Sequence, residues 1–251
     1  MLISVAIVLA LLGAWELYVR LGSVDALLLP APSAVAETLV EDRGMLWSNL
    51  TVTAAEIGFG ILLALAVGLG LAIALHLSRS ARTAVYPLLV ASQAVPIVVV
   101  APLLILWFGY DLGPKVAIIA LLAFFPVVVV TLDALAATDA ELLRLLRSMD
   151  ATRWQRLRFV ELPAAVPAAV SGAKVAVAVA VIGAVFAEYS GSDAGLGHLI
   201  LQSIPQLETA RAWAAVVVLA AFAVLLVSIL AAAERRLSYG TRLPHSPKGP
   251  S

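Results

Sequence analysis

The chain has 251 residues, 63% of them hydrophobic and 13% charged, and its mean hydropathy is +1.05. A soluble domain carries about 25% charged residues, so water is excluded as the main solvent, and a formal net charge of +0 offers no basic excess for nucleic acid. Cysteine is absent and His76, His198 and His245 lack ligand-like spacing, so neither a metal nor a cofactor is expected in this chain.

Apolar runs of about 20 residues are long enough to cross a hydrocarbon layer, and six follow in order: 2–18, 54–77, 84–108, 116–135, 166–187 and 212–233. All are expected as helices, because backbone in lipid must satisfy its hydrogen bonds internally. The first run lacks a basic n-region, and Trp15-Glu16-Leu17-Tyr18 is no small-residue cleavage site. It is therefore predicted as a span, not a signal peptide, with Trp15 and Tyr18 as interfacial anchors.

Between the first two runs, Leu29-Pro30-Ala31-Pro32-Ser33 is a stiff lead-in. Ser33 is predicted to cap a helix over 34–40, and 33–50 to lie as an amphipathic segment on the outer surface. Segment 191–205, with Gly195, Gly197 and Pro205, is predicted as an outer loop dipping toward the membrane. Residues 1–240 read as one transmembrane domain and 241–251, with Pro244, Pro247 and Pro250, as a disordered tail.

One set of loops holds Arg79, Arg82, Arg144, Arg147, Arg153, Arg156, Arg158, Arg235, Arg236, Arg242 and Lys248; the other holds Arg20, Arg43, Lys115 and Arg211. The positive-inside rule places the first set, and both termini, in the cytoplasm.

The cytoplasmic segment 139–163 is too charged to span and too periodic to be slack. Leu142, Leu143, Leu145 and Leu146 alternate with Glu141, Arg144 and Arg147; Ser148-Met149-Asp150 interrupts; Trp154, Leu157, Val160 and Leu162 resume an apolar stripe. The pattern predicts helix, turn, helix. Asp150 is expected to cap the second helix near Thr152 or Arg153, Pro163 to help end it, and Pro167 to start the next span. Such a pair suits docking of a cytosolic partner, and equally an interfacial helix pair lying on anionic membrane lipid.

The spacing resembles the EAA loop of permease subunits of binding-protein-dependent ABC importers: Glu-Ala-Ala, three residues, Gly, nine residues, Ile, any residue, Leu-Pro. Counting back from Leu162-Pro163 puts Val160 at the Ile place, Asp150 at the Gly place and Arg144-Leu145-Leu146 at the Glu-Ala-Ala place. The spacing is kept while the Glu, both alanines and the Gly are not. Leu29-Pro30-Ala31-Pro32-Ser33, Pro102-Leu103-Leu104-Ile105-Leu106-Trp107-Phe108-Gly109 and Ile182-Gly183-Ala184-Val185-Phe186-Ala187-Glu188 followed by Gly195-Leu196-Gly197-His198 resemble the sulfonate, taurine, nitrate and thiamine-precursor branch. The overall texture, over 28–236, is most similar to permeases for hydroxymethylpyrimidine-type thiamine precursors.

The resemblance implies an all-α type I ABC importer permease fold in a bacterial inner membrane, with a cytoplasmic coupling loop at 137–163. It implies a homodimeric pore, a cytosolic ABC ATPase dimer that binds the ATP and magnesium, and an extracytoplasmic solute-binding protein. No Gly-Lys-Ser/Thr phosphate loop is present in the sequence, so ATP chemistry falls to the partner and the chain is not an enzyme. The ATPase contacts implied are Glu141, Leu142, Arg144, Leu145, Leu146, Arg147, Met149, Asp150, Ala151 and Arg153.

Polar residues inside spans are candidates for the solute path. Gln93, followed by Pro96, lies where a broken helix exposes polar groups, or where an interhelical hydrogen bond forms. Lys174 suits a pore role or simple snorkelling to the interface; Glu188 suits a gate or an interfacial carboxylate. Glu56 is expected at the outer headgroup layer and Asp133 in solvent at the inner face. Gly58, Gly60, Ala64, Gly68 and Gly70, and Gly172, Ala176, Ala180 and Gly183, are expected to allow close helix approach. The alternative class is an ion-gradient-driven secondary transporter or channel, against which stand the lack of paired acids, repeats or a pore loop.

Overall fold

The computed structural model describes residues 2–22, 25 and 27–239; the tail expected at 241–251 lies outside them. Among the described residues there is no strand. The helices are α1 (Leu2–Leu21), α2 (Pro32–Glu41), α3 (Arg43–Leu77), α4 (Arg79–Ser92), α5 (Ile97–Phe108), α6 (Leu112–Ala136), α7 (Ala140–Ser148), α8 (Arg153–Arg156), α9 (Leu162–Ser190), α10 (Leu196–Ser203) and α11 (Thr209–Tyr239), with a π-helical turn, Leu157–Glu161, joining α8 to α9. Four segments, Arg43–Leu77, Leu112–Ala136, Arg153–Ser190 and Thr209–Arg236, are long and apolar enough to cross a membrane. The first expected run is the 20-residue helix α1.

Helix α6 is the centre of the bundle, clasped between α3 and α9. Its Ile118, Ile119, Ala123, Val127, Val128 and Leu132 are buried because small residues recur every fourth position on both neighbours. On α3 these are Gly60, Ala64, Gly68 and Ala72; on α9 they are Gly172, Ala176, Ala180 and Ala184. Lipid supplies no hydrophobic drive between helices, so close van der Waals approach holds them. A Cβ on Gly60 would stand 2.3 Å from Ile119 Cγ2 and one on Gly68 2.8 Å from Val127 Cγ1. Gly58 and Gly70, also expected in this stripe, face open space.

Several expectations are corrected. The run at 84–108 is not one straight helix: α4 and α5, long and apolar enough together to make a broken span or a re-entrant loop, meet at 94° across residues 93–96, where Pro96 withholds an N–H and disfavours helical Val95. Pro163 and Pro167 neither end nor start a helix, since Arg153–Ser190 is continuous. The π turn permits this: the Leu162 N–H reaches back five residues to the Leu157 carbonyl, which re-aims the carbonyls that the Pro163 ring would strike.

Ser33 does not cap 34–40. The helix begins at Pro32 with Ala31 as cap residue, and Glu16 of α1 accepts from the Ser33 N–H at 3.0 Å and its Oγ at 2.8 Å. Residues 43–50 belong to α3 instead of a separate surface segment. Trp15 is half-buried with its ring centroid 5.1 Å from that of Trp213, so it joins α1 to α11, while Tyr18 remains exposed.

Candidate functional site

At one end of the bundle stands the segment that carries α7. Asp139 caps α7, its carboxylate accepting from the Glu141 N–H at 2.7 Å. The helix closes with the Asp150 N–H on the Arg147 carbonyl at 3.1 Å and the Ala151 N–H on the Leu146 carbonyl at 3.0 Å, a Schellman closure that requires a left-handed residue. That residue is Asp150, at φ +56°. Aspartate is one of the few non-glycine residues that tolerate this region. Asp150 does not cap the second helix as expected; Thr152 does, in a capping box with Gln155. Asp150→Gly should leave stability equal or higher, and Asp150→Val should lower it by about 1–2 kcal/mol, read as the midpoint of thermal unfolding in detergent.

No residue of α7 is buried. Leu142, Leu145, Met149, Trp154 and Phe159 are all exposed, Met149 at 69% and Phe159 at 68%. A groove of about 310 Å³ runs between α7 and the π turn, lined by Leu146, Met149, Ala151, Phe159 and Val160 among others. Arg144 and Arg147 are exposed beside it, Arg144 within 3.7 Å of Glu141. Arg153 is pinned by a bond from its Nη2 to the His76 carbonyl at 3.3 Å, and His76 Nε2 lies 2.8 Å from Glu161 Oε2. The segment is thus fastened to the end of α3 on one side and bare on the other.

At the opposite end, polar residues converge that the sequence places far apart. Gly195, Leu196, Gly197 and His198 open α10, and each N–H finds an acceptor: Asn49 Oδ1 at 2.8 Å, Thr53 Oγ1 at 2.8 Å, and Glu188 Oε2 at 2.5 and 3.2 Å. Thr53 Oγ1 in turn donates to Glu188 Oε1 at 2.6 Å. Glu188 is 1% exposed, so the positive end of α10 and three hydrogen bonds compensate its buried carboxylate. The two glycines are required by contact: a Cβ on Gly195, which sits at φ +117°, would lie 2.3 Å from Glu188 Cδ, and one on Gly197 2.8 Å from Glu188 Oε2. Within segment 191–205 the chain forms this helix, with Leu196, Leu199 and Ile200 buried against α2, α3 and α11.

Glu56 does not face outward but is 1% exposed within the protein, its Oε1 3.0 Å from Lys115 Nζ. Lys115, counted among loop cations in the sequence, is itself buried and donates also to Ser192 Oγ at 2.6 Å. Nothing in the sequence marks this pair, because each residue begins an apolar run, where a charge normally meets water. Removing one partner strands the other charge, which costs about 3–5 kcal/mol, whereas removing both is far milder. Lys115→Met should therefore lower the unfolding midpoint markedly and Lys115→Met with Glu56→Leu should recover most of the loss.

Gln93 is exposed at the α4–α5 break, its Nε2 3.3 Å from Ser92 Oγ, and it lines a cavity of about 230 Å³ with Ile97, Val100 and Leu122. Pro96 caps α5 there. Lys174 does not stand free: it is paired with Glu234 of α11, which also accepts from Ser171. The structure thus brings Glu188 together with Thr53 near Glu56, and leaves Gln93 and Lys174 in separate places.

The family described as "Binding-protein-dependent transport system inner membrane component" matches residues 64–239. The formylaminopyrimidine transport permease protein ThiX of Halalkalibacterium halodurans is 34% identical over 218 residues, covering 86% of this chain and 87% of that protein. The riboflavin transport system permease protein RibX of Chloroflexus aurantiacus is 39% identical, covering 90% and 85%, and the taurine transport system permease protein TauC of Escherichia coli 30% identical, covering 94% and 88%. The fold is that of the permease in inward-facing structures of the MetNI methionine ABC transporter, with TM-score 0.58, 21% identity, and coverage of 79% of this chain and 95% of that one. With the helical bundle and the EAA-type segment, these matches place the chain in the family of binding-protein-dependent transport system inner membrane components, as a multi-pass ABC importer permease of the sulfonate and thiamine-precursor branch.

Proposed function

We propose that two copies of this chain form the translocation path of an importer, that cytosolic ATPase subunits holding ATP and magnesium dock on the α7 segment, and that an extracytoplasmic binding protein delivers solute to the opposite end. The observation that carries this is α7, an amphipathic helix with no buried residue whose apolar side is exposed beside a groove. Residues 1–240 act as one permease domain with the coupling segment at 137–163. The arginine-rich loops support cytoplasmic termini and a cytoplasmic tail at 241–251.

In this reading Leu142, Leu145, Leu146 and Met149 anchor the ATPase, Glu141, Arg144 and Arg147 rim the contact, and Asp150, Ala151 and Arg153 hold its shape. Closure of the ATPase dimer tilts the helices between inward-open and outward-open states. Gln93 and Pro96 lie on the path at the α4–α5 break, while Lys174 and Glu188 hold the helices around it.

The solute best supported is a hydroxymethylpyrimidine-type thiamine precursor, with sulfonates, taurine and nitrate next. An anionic solute wants an unpaired cation, yet Lys115, Lys174 and Arg211 each face a carboxylate. The test is ATP turnover of the whole importer in proteoliposomes with its binding protein. Stimulation of several-fold by hydroxymethylpyrimidine and none by taurine is expected; the reverse order overturns the substrate assignment.

A further inference from the structure

Where α3 gives way to α4, a cavity of about 450 Å³ opens beside the coupling segment. Its polar wall is His76, Arg79, Arg82, Thr83 and Arg153, and its apolar wall includes Leu75 and Tyr86. The three guanidinium groups come from two segments about seventy residues apart, and among the described residues none has a carboxylate within 4.0 Å. Glu161, the acid of this region, is engaged by His76. Arg153 is held in place by its bond to the His76 carbonyl. The cavity also lies at the N-terminus of the 14-residue helix α4, whose cap Ser78 accepts from the Ala81 N–H, so the helix dipole adds positive potential.

Such a site selects a phosphate-type anion, which guanidinium forks bind through paired charge-assisted hydrogen bonds. Its place in the fold narrows the source. The arginines stand at the end of a membrane-crossing helix, and just beyond Tyr86 and Pro87 the apolar Leu88 and Val90 of α4 are exposed, Leu88 at 68%. A headgroup phosphate on the arginines with its acyl chain laid along α4 satisfies both halves; a free anion satisfies only the first. We propose that this cavity binds the headgroup of an anionic phospholipid, and that the bound lipid ties Arg153, and with it the coupling segment, to α4. The proposal needs no ATPase and so stands or falls apart from the importer reading.

The test is native mass spectrometry of the full-length chain in mild detergent, titrated with dioleoylphosphatidylglycerol, dioleoylphosphatidylcholine, or inorganic phosphate. One phosphatidylglycerol per chain should be retained about tenfold more tightly than phosphatidylcholine, and Arg79→Gln with Arg82→Gln should remove that preference, each arginine contributing severalfold. Arg235→Gln with Arg236→Gln, an equal loss of charge on α11, should keep it. Equal retention by the Arg79/Arg82 variant, or equal loss in the Arg235/Arg236 variant, overturns the proposal. Phosphate binding that depends on Arg79 and Arg82 without any preference between the lipids assigns the site to a soluble anion and likewise overturns it. If the double variant does not fold, Arg153→Gln, which removes the third arginine, carries the same comparison.

Discussion

Replacing Leu145 and Leu146 together by aspartate is expected to strip the proposed ATPase partner from the permease while leaving the membrane bundle intact. Leu145 is 57% exposed and Leu146 lines the groove beside α7, so neither substitution disturbs a buried core. In the docked state each leucine would be taken from water, a gain of about 1.5–3 kcal/mol per side chain. Two buried charges in their place reverse the sign of that term. Co-purification of the ATPase should fall at least a hundredfold, since each 1.4 kcal/mol is a factor of ten, with the unfolding midpoint of the permease unchanged. Arg144→Gln, at the exposed rim, should cost severalfold at most. Pull-down of the ATPase on tagged permease, quantified beside gel-filtration profiles of both variants, measures the difference. Undiminished co-purification in the leucine variant would return α7 to the membrane surface as a lipid-facing helix.

Gly195→Ala, a single added methyl group, will do more damage than most larger changes elsewhere. The backbone at Gly195 has φ +117° and ψ 160°, a region open essentially to glycine alone. The new Cβ would also fall 2.3 Å from Cδ of a buried carboxylate. Either α10 moves off, leaving Glu188 with an uncompensated charge, or Glu188 gives up the N–H groups of Gly197 and His198. Both outcomes cost about 3 kcal/mol or more, so the unfolding midpoint should drop by many degrees and expression should fall. Glu188→Gln keeps the shape and loses only the charge, so its effect should be clearly smaller. Equal, mild effects of the two substitutions would mean that α10 is not fastened by this clasp.

The sequence makes the apolar helices legible because lipid leaves the backbone few alternatives, and the segment at 139–163 legible because its stripe has helical period. It does not make legible how a helix passes Pro163. That depends on a π turn, and a widened turn leaves no mark in the residue pattern. Nor does it reveal the sharpness of the break at 93–96, where Pro96 marks a boundary without an angle. The buried pair of Glu56 and Lys115 was hidden for a different reason. A charge at the head of an apolar run meets water unless another helix arrives to cover it, and that arrival is a tertiary fact. Asp150 is the converse case: counted against the motif it stands where a glycine is written, and its backbone adopts the left-handed conformation that glycine favours.

The claim on which the rest depends is that this chain transmits the work of a separate ATPase. The most direct measurement is to purify the tagged chain from its native membrane in mild detergent, identify its companions by mass spectrometry, and assay ATP hydrolysis. The account predicts a stoichiometric ATPase partner with vanadate-sensitive turnover that is lost on replacing Leu145 and Leu146 by aspartate. A chain that emerges alone and moves solute down an ion gradient without ATP would contradict it.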